Sequence, residues 1–319
     1  MKKVLSVACA LCMTTAMLTG CGSSNNAGTA ATGEAQNSAA ASTTTEQAST
    51  ATDAGTTLIA LITMDSLDQH WVTLNEGAQK AAAELGVTVQ FMAPNTKDDA
   101  QQIECVNNAV SAGAQAIIVA ANGPDAISSA LREASDAGVK LIYVDSPANV
   151  SAEATFSTDN NAAGKTAGEE MKKALADAGV TSGSIGIINV NAATDSCVMR
   201  EEGFRSAFEG TDFELLETQY GEGDAAKSQS IAENYITQGV VGIFGCNEGS
   251  TTGAGNAIKA SGKDNVIGVG FDKSDAILGL IDDGYLLCTM AQNPDVMGYE
   301  GVKAVSYTHL RAHETLSDL

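Results

Sequence analysis

From Thr56 onward the chain alternates short apolar, β-rich runs with longer segments of helical period. The runs are "TLIALITM", "VTVQFMAP", "AIIVAA", "VKLIYVDS", "ATFSTD", "SIGIINV", "FELLETQY", "VVGIFGCN", "NVIGVGFD" and "YLLCTMAQ". Helical segments such as "VTLNEGAQKAAAELG", "DAISSALREASDAG" and "NAAGKTAGEEMKKALADAG" stand between them, several stopped by glycine. Continuous apolar strands joined by helices predict an α/β fold of parallel sheets covered on both faces. The spacing predicts two lobes rather than one sheet. "ATFSTDNNAAGK" is more polar than its neighbours and follows an irregular stretch, Ser146 to Glu153, at which a chain could cross from one lobe to the other.

Before Thr56 the pattern is different. Residues 22 to 55 are almost entirely Ser, Thr, Ala, Gly, Asn and Gln, with no aromatic residue and no Lys or Arg, a composition that cannot offset its chain entropy by burial and predicts a flexible tether. Ahead of it stand Lys2 and Lys3, the apolar run "VLSVACALCMTTAML" and small residues, the three parts of an export signal. The ending "LTGC", Leu18 to Cys21, resembles the lipobox of bacterial lipoproteins. It implies a signal spanning residues 1 to 21, a lipidated Cys21 and anchorage to a membrane in the cell envelope.

Charge narrows the function classes. With 17 Lys+Arg against 39 Asp+Glu, a net charge of −22, the chain repels phosphate backbones, so nucleic acid is not an expected partner. Four cysteines remain beyond Cys21, namely Cys105, Cys197, Cys246 and Cys288; they have no metal-ligand spacing and read as small buried hydrophobes. No loop has a phosphate-gripping pattern, since "GVGFDKSD" is not G-x-G-x-x-G and "TTGAGNAIK" has no G-K-[ST] ending.

In open α/β sheets ligand groups gather beyond the carboxyl ends of strands. The first strand delivers Asp68, His70 and Trp71 to that edge, the fourth Asp145, and the loop after "SIGIINV" leads to Arg200. "IFGCNE" delivers Asn247 and Glu248, "GVGFD" delivers Asp272 and "TMAQNP" delivers Gln292. Carboxylates accept from hydroxyl pairs, Arg donates a rigid fork, Asn and Gln do both, and an aromatic face covers the C–H side of a sugar ring. Taken singly, Trp71 also reads as a core residue and a strand-end Asp as a helix cap. Recurrence in both lobes favours a shared ligand site.

The ordered motifs "IALITMDSLDQHWVTLNEGAQKAAAELG", "LIYVDS", "FSTDNNAAGKTAGE", "MREEGFRSAF", "GIFGCNEGSTTGAGNAIKASG", "VIGVGFDKSDAI" and "CTMAQNPDVMGYEGVKA" resemble the ribose-type family of solute-binding proteins for bacterial ABC sugar importers. The resemblance implies a periplasmic-binding-protein type I fold: two doubly wound lobes joined by a hinge and closing over one sugar. It implies a first lobe of residues 56–158 plus 293–305, a second of 159–292, and hinges near Thr158 to Asn160 and Gln292 to Pro294. By motif, the ligand-binding residues are Asp68, His70, Trp71, Asp145, Arg200, Asn247, Asp272 and Gln292. No catalytic residue, cofactor or metal is called for, and the partners are a sugar or polyol and a membrane permease, with the chain acting as a monomer.

Departures bear on the ligand. Ribose binders of the family carry asparagine where Asp68 stands, aromatics at both His70 and Trp71, arginine where Ser146 stands, and asparagine where Ala120 stands, or displaced to Asn122. The implied ligand is therefore a polyhydroxylated solute rather than ribose itself. Three acids against one arginine also suit an amino sugar or cyclitol, with Asp68 as counter-charge. Other classes remain: a sensory sugar-binding protein docking on a receptor, or an enzyme using Asp145 and Asp272 as paired carboxylates. Residues 306–319, "SYTHLRAHETLSDL", resemble adapter-derived sequence on a truncated frame, and the pattern predicts that the preceding helix does not continue into them. If the closing elements of the first lobe are missing, low stability is expected.

Overall fold

A computed structural model describes residues 56–263 and 265–317, with side chains through Tyr307. The expected signal, residues 1–21, and tether, residues 22–55, lie outside the described residues. In the first half, β1 (Leu58–Ile62), α1 (Gln69–Leu85), β2 (Thr88–Met92), α2 (Asp99–Ser111), β3 (Ala116–Val119), α3 (Ser128–Asp136), β4 (Lys140–Val144) and β5 (Ala154–Phe156) build a parallel sheet ordered β2-β1-β3-β4-β5. After α4 (Asn160–Asp177) come β6 (Ser182–Asn189), α5 (Asp195–Ser206), β7 (Asp212–Leu215), β8 (Gln219–Tyr220), α6 (Ala225–Gln238) and β9 (Gly242–Gly245). The chain continues with α7 (Glu248–Ser261), β10 (Ile267–Phe271), α8 (Asp275–Asp282), β11 (Cys288–Met290) and α9 (Pro294–Ser317). The second sheet is ordered β11-β10-β9-β6-β7, with β8 also beside β6. Read from its other edge, it repeats the winding of the first.

Period-two alternation places two cores in each lobe. Ile59 and Leu61 face α1 and α9 through Leu74, Ala78 and Val302, while Ala60 and Ile62 face Val106 and Leu131 on the other side. In the second lobe Ile185 and Ile187 pack with Met171 and Phe204, and Ile188 with Tyr235 and Ile258. Helices α1 and α6 end on Gly86 (φ 68°) and Gly239 (φ 85°), left-handed stops that glycine takes without penalty.

The chain crosses between lobes after β5 and after β11, and each crossing opens a helix that packs on the other lobe's first helix: α4 on α5, and α9 on α1. Both pairs meet backbone to backbone. A Cβ on Gly164 would lie 2.0 Å from the carbonyl oxygen of Arg200, and one on Gly77 1.9 Å from that of Asp295. Thr158 Oγ1 donates to Gln292 Oε1 at 2.8 Å, tying the two crossings together.

Three features differ from the pattern reading. Ser146 to Glu153 is not the crossing: Glu153 N–H bonds Leu141 and the Tyr143 hydroxyl bonds the Val150 carbonyl, so the loop folds back and β5 pairs with β4. "FELLETQY" splits into β7 and β8, which lie against the beginning and end of β6 respectively. Helix α9 runs on to Ser317, through the segment where the pattern predicts a stop; residues 306–317 contain neither Gly nor Pro to end it.

Candidate functional site

Strands β4 and β10 hold equivalent places in the two sheets, and each is followed by an aspartate in a left-handed backbone turn: Asp145 at φ 58° and Asp272 at φ 73°. Aspartate enters this region more readily than bulkier residues do. The turns are held alike. Asp145 N–H donates to Phe156 O at 2.9 Å and Asp272 N–H to Met290 O at 3.0 Å, in each case reaching the adjoining edge strand. Their carbonyls accept from Ser157 Oγ at 2.8 Å and Thr289 Oγ1 at 2.7 Å. Neither side chain caps a helix; the caps of α4 and α8 are Asp159 and Ser274. The ordinary structural use of a strand-end aspartate is therefore missing at both positions.

Both carboxylates are buried and face the same two cations. Arg200 of α5, 2% exposed, sets Nη2 at 3.5 Å from Asp145 Oδ1 and Nη1 at 4.0 Å from Asp272 Oδ2. Its remaining donors are engaged: Nε to Asn160 Oδ1 at 2.8 Å and Nη1 to the Cys246 carbonyl at 3.0 Å, with the guanidinium 4.4 Å from the centre of the Phe271 ring. His70 of α1 places Nε2 at 3.3 Å from Asp145 Oδ1 and Nδ1 at 3.5 Å from Asp272 Oδ1. Neutral imidazole has a single N–H, so a carboxylate at each nitrogen favours the imidazolium. Burial opposes that charge, but Asp145 and Asp272 outweigh it and raise the His70 pKa above 6.5. Burial likewise works to raise Asp145, yet His70, Arg200 and the Ser196 hydroxyl at 3.2 Å hold it down at about 2. Gln292 supports the frame from the hinge by donating Nε2 to Asp272 Oδ1.

Beside this frame lies a second charge cluster. Lys97, on the loop after β2, turns its side chain inward and pairs with Asp65 and, at 2.8 Å, with Asp68. One lysine cannot satisfy both acids equally. Burial acts to raise Asp65, but Lys97 and the N–H groups of Asp68 and Leu67 hold it below its ordinary value. Asp68 has no such backbone donors, and burial pushes it up to about 6 despite Lys97.

Asp68, His70, Trp71, Asp145, Arg200, Asn247 and Asp272 line one cleft, with Met64, Lys97, Val190, Ser196 and Cys197, and Gln292 stands behind Asp272. The enclosed space is only about 20 Å³, because His70 and Arg200 fill the gap between the aspartates. A pocket of about 310 Å³ adjoins it, sharing Asp68 and Lys97 and including Glu222, Asp224 and Glu248. His70 and Trp71 lie in the first turn of α1 rather than on a loop. Trp71, 4% exposed, packs into the first lobe's core and meets His70 edge-on at 4.6 Å; its Nε1, like His70 Nε2, has no aligned hydrogen-bond partner. Asn247 caps α7, its Oδ1 accepting from Ser250 N at 3.1 Å and Ser250 Oγ at 2.6 Å.

The sequence reading did not single out Lys97, Ser196 or Asn160. Lys97 was accessible to the strand-end rule, since it follows β2. Among the described residues the cysteines are unpaired, and burial raises Cys197 to about 11, which leaves the thiol protonated and a poor nucleophile. Among the same residues no group of three or more His, Cys, Asp or Glu is arranged to hold a metal ion.

Residues 59–308 match the periplasmic binding protein domain. The ribose import binding protein of Haemophilus influenzae is 30% identical over 257 residues, covering 80% of this chain and 85% of that protein. Its Escherichia coli counterpart is 28% identical over 248 residues, covering 77% and 82%. Among solved structures, a carbohydrate transporter solute-binding protein from Agrobacterium radiobacter in complex with D-arabinose is 27% identical with a TM-score of 0.76, covering 80% of this chain and 90% of that one. An ABC transporter solute-binding protein from Agrobacterium vitis bound with alpha-D-tagatopyranose is 26% identical with a TM-score of 0.75, covering 80% and 89%. Two parallel-sheet lobes of the same winding, joined by crossings, agree with these likenesses, and the chain belongs to the periplasmic binding protein domain family.

Proposed function

We propose that the chain captures a neutral sugar or sugar-like polyol between its lobes and delivers it to an ABC importer, without altering it chemically. One observation carries this reading: Asp145 and Asp272, in matched left-handed turns of opposite lobes, converge on the same His70 and Arg200. Hydroxyl pairs on a sugar ring are donors of the kind these carboxylates now find in His70, and Arg200 and Asn247 supply further polar edges. The solute enters when the lobes part at the Thr158 and Gln292 crossings and His70 yields the two carboxylates. Contacts from both lobes then favour closure, the form a permease would read. Similarity to sugar importers' binding proteins supports this reading. A neutral ligand is favoured over an amino sugar because Lys97 already compensates Asp68. Cys21 would carry the lipid anchor and residues 22–55 the tether that lets a monomer reach its permease.

A thermal-shift panel of pentoses, hexoses, inositols and amino sugars tests the reading. A ligand at about 100 times its Kd should raise Tm by roughly 5–10 °C. The reading is wrong if no member of the panel shifts Tm at millimolar concentration.

A further inference from the structure

Five helices of this chain cap their own N-termini. Asp98, Asp159, Asp224, Asn247 and Ser274 accept from N–H groups of α2, α4, α6, α7 and α8 respectively. Helix α3, preceded by Ile127, has no side-chain cap, and the first helix following the first strand of each lobe does not cap itself either. Asp68 occupies the cap position of α1 but makes no cap bond, its carboxylate being drawn to Lys97. Thr194 occupies the cap position of α5 but gives its hydroxyl to the Asn122 carbonyl across the cleft, at 2.7 Å.

Each of these two helices is capped instead by the opposite lobe. Glu248, at the start of α7, accepts from Gln69 N–H through Oε1 and from His70 N–H through Oε2, both at 3.1 Å. Ser146, just past β4, accepts from Ser196 N–H of α5 at 3.3 Å. Gln69 returns the favour by accepting from Asp275 N–H, the first residue of α8, at 3.1 Å. Unsatisfied N–H groups at a helix start are costly when shielded from water, and a carboxylate there gains from the helix dipole as well. Glu248 is not among the residues enclosing the space between Asp145, Arg200 and Asp272.

We propose that lobe closure is latched by this exchange of helix caps, and that Glu248, through its hold on α1, thereby sets how long a solute is held. When the lobes part, α1 loses its only side-chain cap and α5 loses that of Ser146; when they meet, both are restored. The latch belongs to the closed state, so it acts after encounter. Its removal should speed release and leave capture unchanged, whereas general damage to the fold would affect both.

The inference rests on the capture mechanism proposed above, and two measurements separate their failures. Stopped-flow binding of the sugar giving the largest thermal shift would be compared in wild type, E248Q, E248A and the E248A/S146A double variant. E248A should raise the off-rate about tenfold and E248Q about threefold, with on-rates unchanged. Single-molecule energy transfer between a dye on each lobe, without sugar, should show the closed-to-open ratio falling about tenfold in the double variant. If wild type binds no sugar, the capture reading fails and the ligand-free ratio alone decides the latch. An unchanged off-rate, or an unchanged ligand-free ratio in the double variant, overturns it.

Discussion

The two lobes wind alike and end equivalent strands, β4 and β10, on matched aspartates, yet they surround those aspartates differently. The second lobe supplies a fixed cation: Arg200 is pinned by Asn160, the Cys246 carbonyl and the Phe271 ring, and its backbone is pressed against Gly164. The first supplies adjustable charge: His70 sits at a helix start that its own cap residue, Asp68, leaves unbonded, beside a lysine shared by two acids. A rigid face is thus closed by a titratable one. Matched topology fixes where ligand groups converge, while the local partners decide which of them can move or change charge.

The largest expected effect falls on the fixed side. Arg200→Met keeps bulk but leaves two buried carboxylates with His70 as their one remaining cation, and should destabilise the protein by about 3–5 kcal/mol in urea unfolding, as well as abolishing sugar binding. On the adjustable side, Lys97→Met should cost about 2–3 kcal/mol at pH 8. The loss should be smaller at pH 5, where Asp68, with a pKa of about 6 even beside Lys97, takes up a proton. Equal losses for K97M at both pH values would contradict the assigned asymmetry.

The helix crossings sharpen the comparison. Gly164→Ala and Gly77→Ala each force a backbone pair apart and should each cost about 1–3 kcal/mol. Only G164A displaces Arg200, so only it should also weaken sugar binding by calorimetry. Equal affinity losses in both variants would show that the second lobe has no special hold on the ligand.

A smaller effect is expected from pH. Burial and the nearby Asp68 push Glu248 up to about 7, and burial pushes Asp68 up to about 6, so both are ionised at pH 8 at a cost the unfolded chain does not bear. That cost shrinks as pH falls through these values and is gone only below the ordinary 4.5 and 3.8 of the two groups. His70, raised by its carboxylates, adds stability that is present below its ordinary 6.5 and lost as pH rises through the raised value. Asp145, held at about 2, adds stability that is present above its ordinary 3.8 and lost as pH falls through 2. Ligand-free Tm should therefore peak between about pH 4 and 5, fall by several degrees toward pH 8, and drop again as pH falls toward about 2. A peak above pH 7 would contradict the assigned charge states.

The architecture was legible because each buried strand is a short apolar run and several helices stop at glycine. The matched aspartates followed from reading every strand end. What stayed hidden depends on partners distant in sequence. Lys97 lies 32 and 29 residues from Asp65 and Asp68, so no local pattern shows that one lysine serves both. The predicted helix began near Val72, whereas α1 starts at Gln69. Trp71 and Leu74 both reach the core from it, and the cap that completes its first turn comes from Glu248, 179 residues from Gln69. The split of "FELLETQY" was equally invisible locally, since both pieces look extended and only β6 beside them sets where pairing stops.

Calorimetric titration of the best sugar into wild type, Asp145→Asn and Asp272→Asn tests most directly whether the two lobes share one ligand. Each single substitution should weaken binding at least a hundredfold, since each removes one lobe's carboxylate from a jointly held solute. Wild-type affinity retained by either variant would contradict a site built from both lobes.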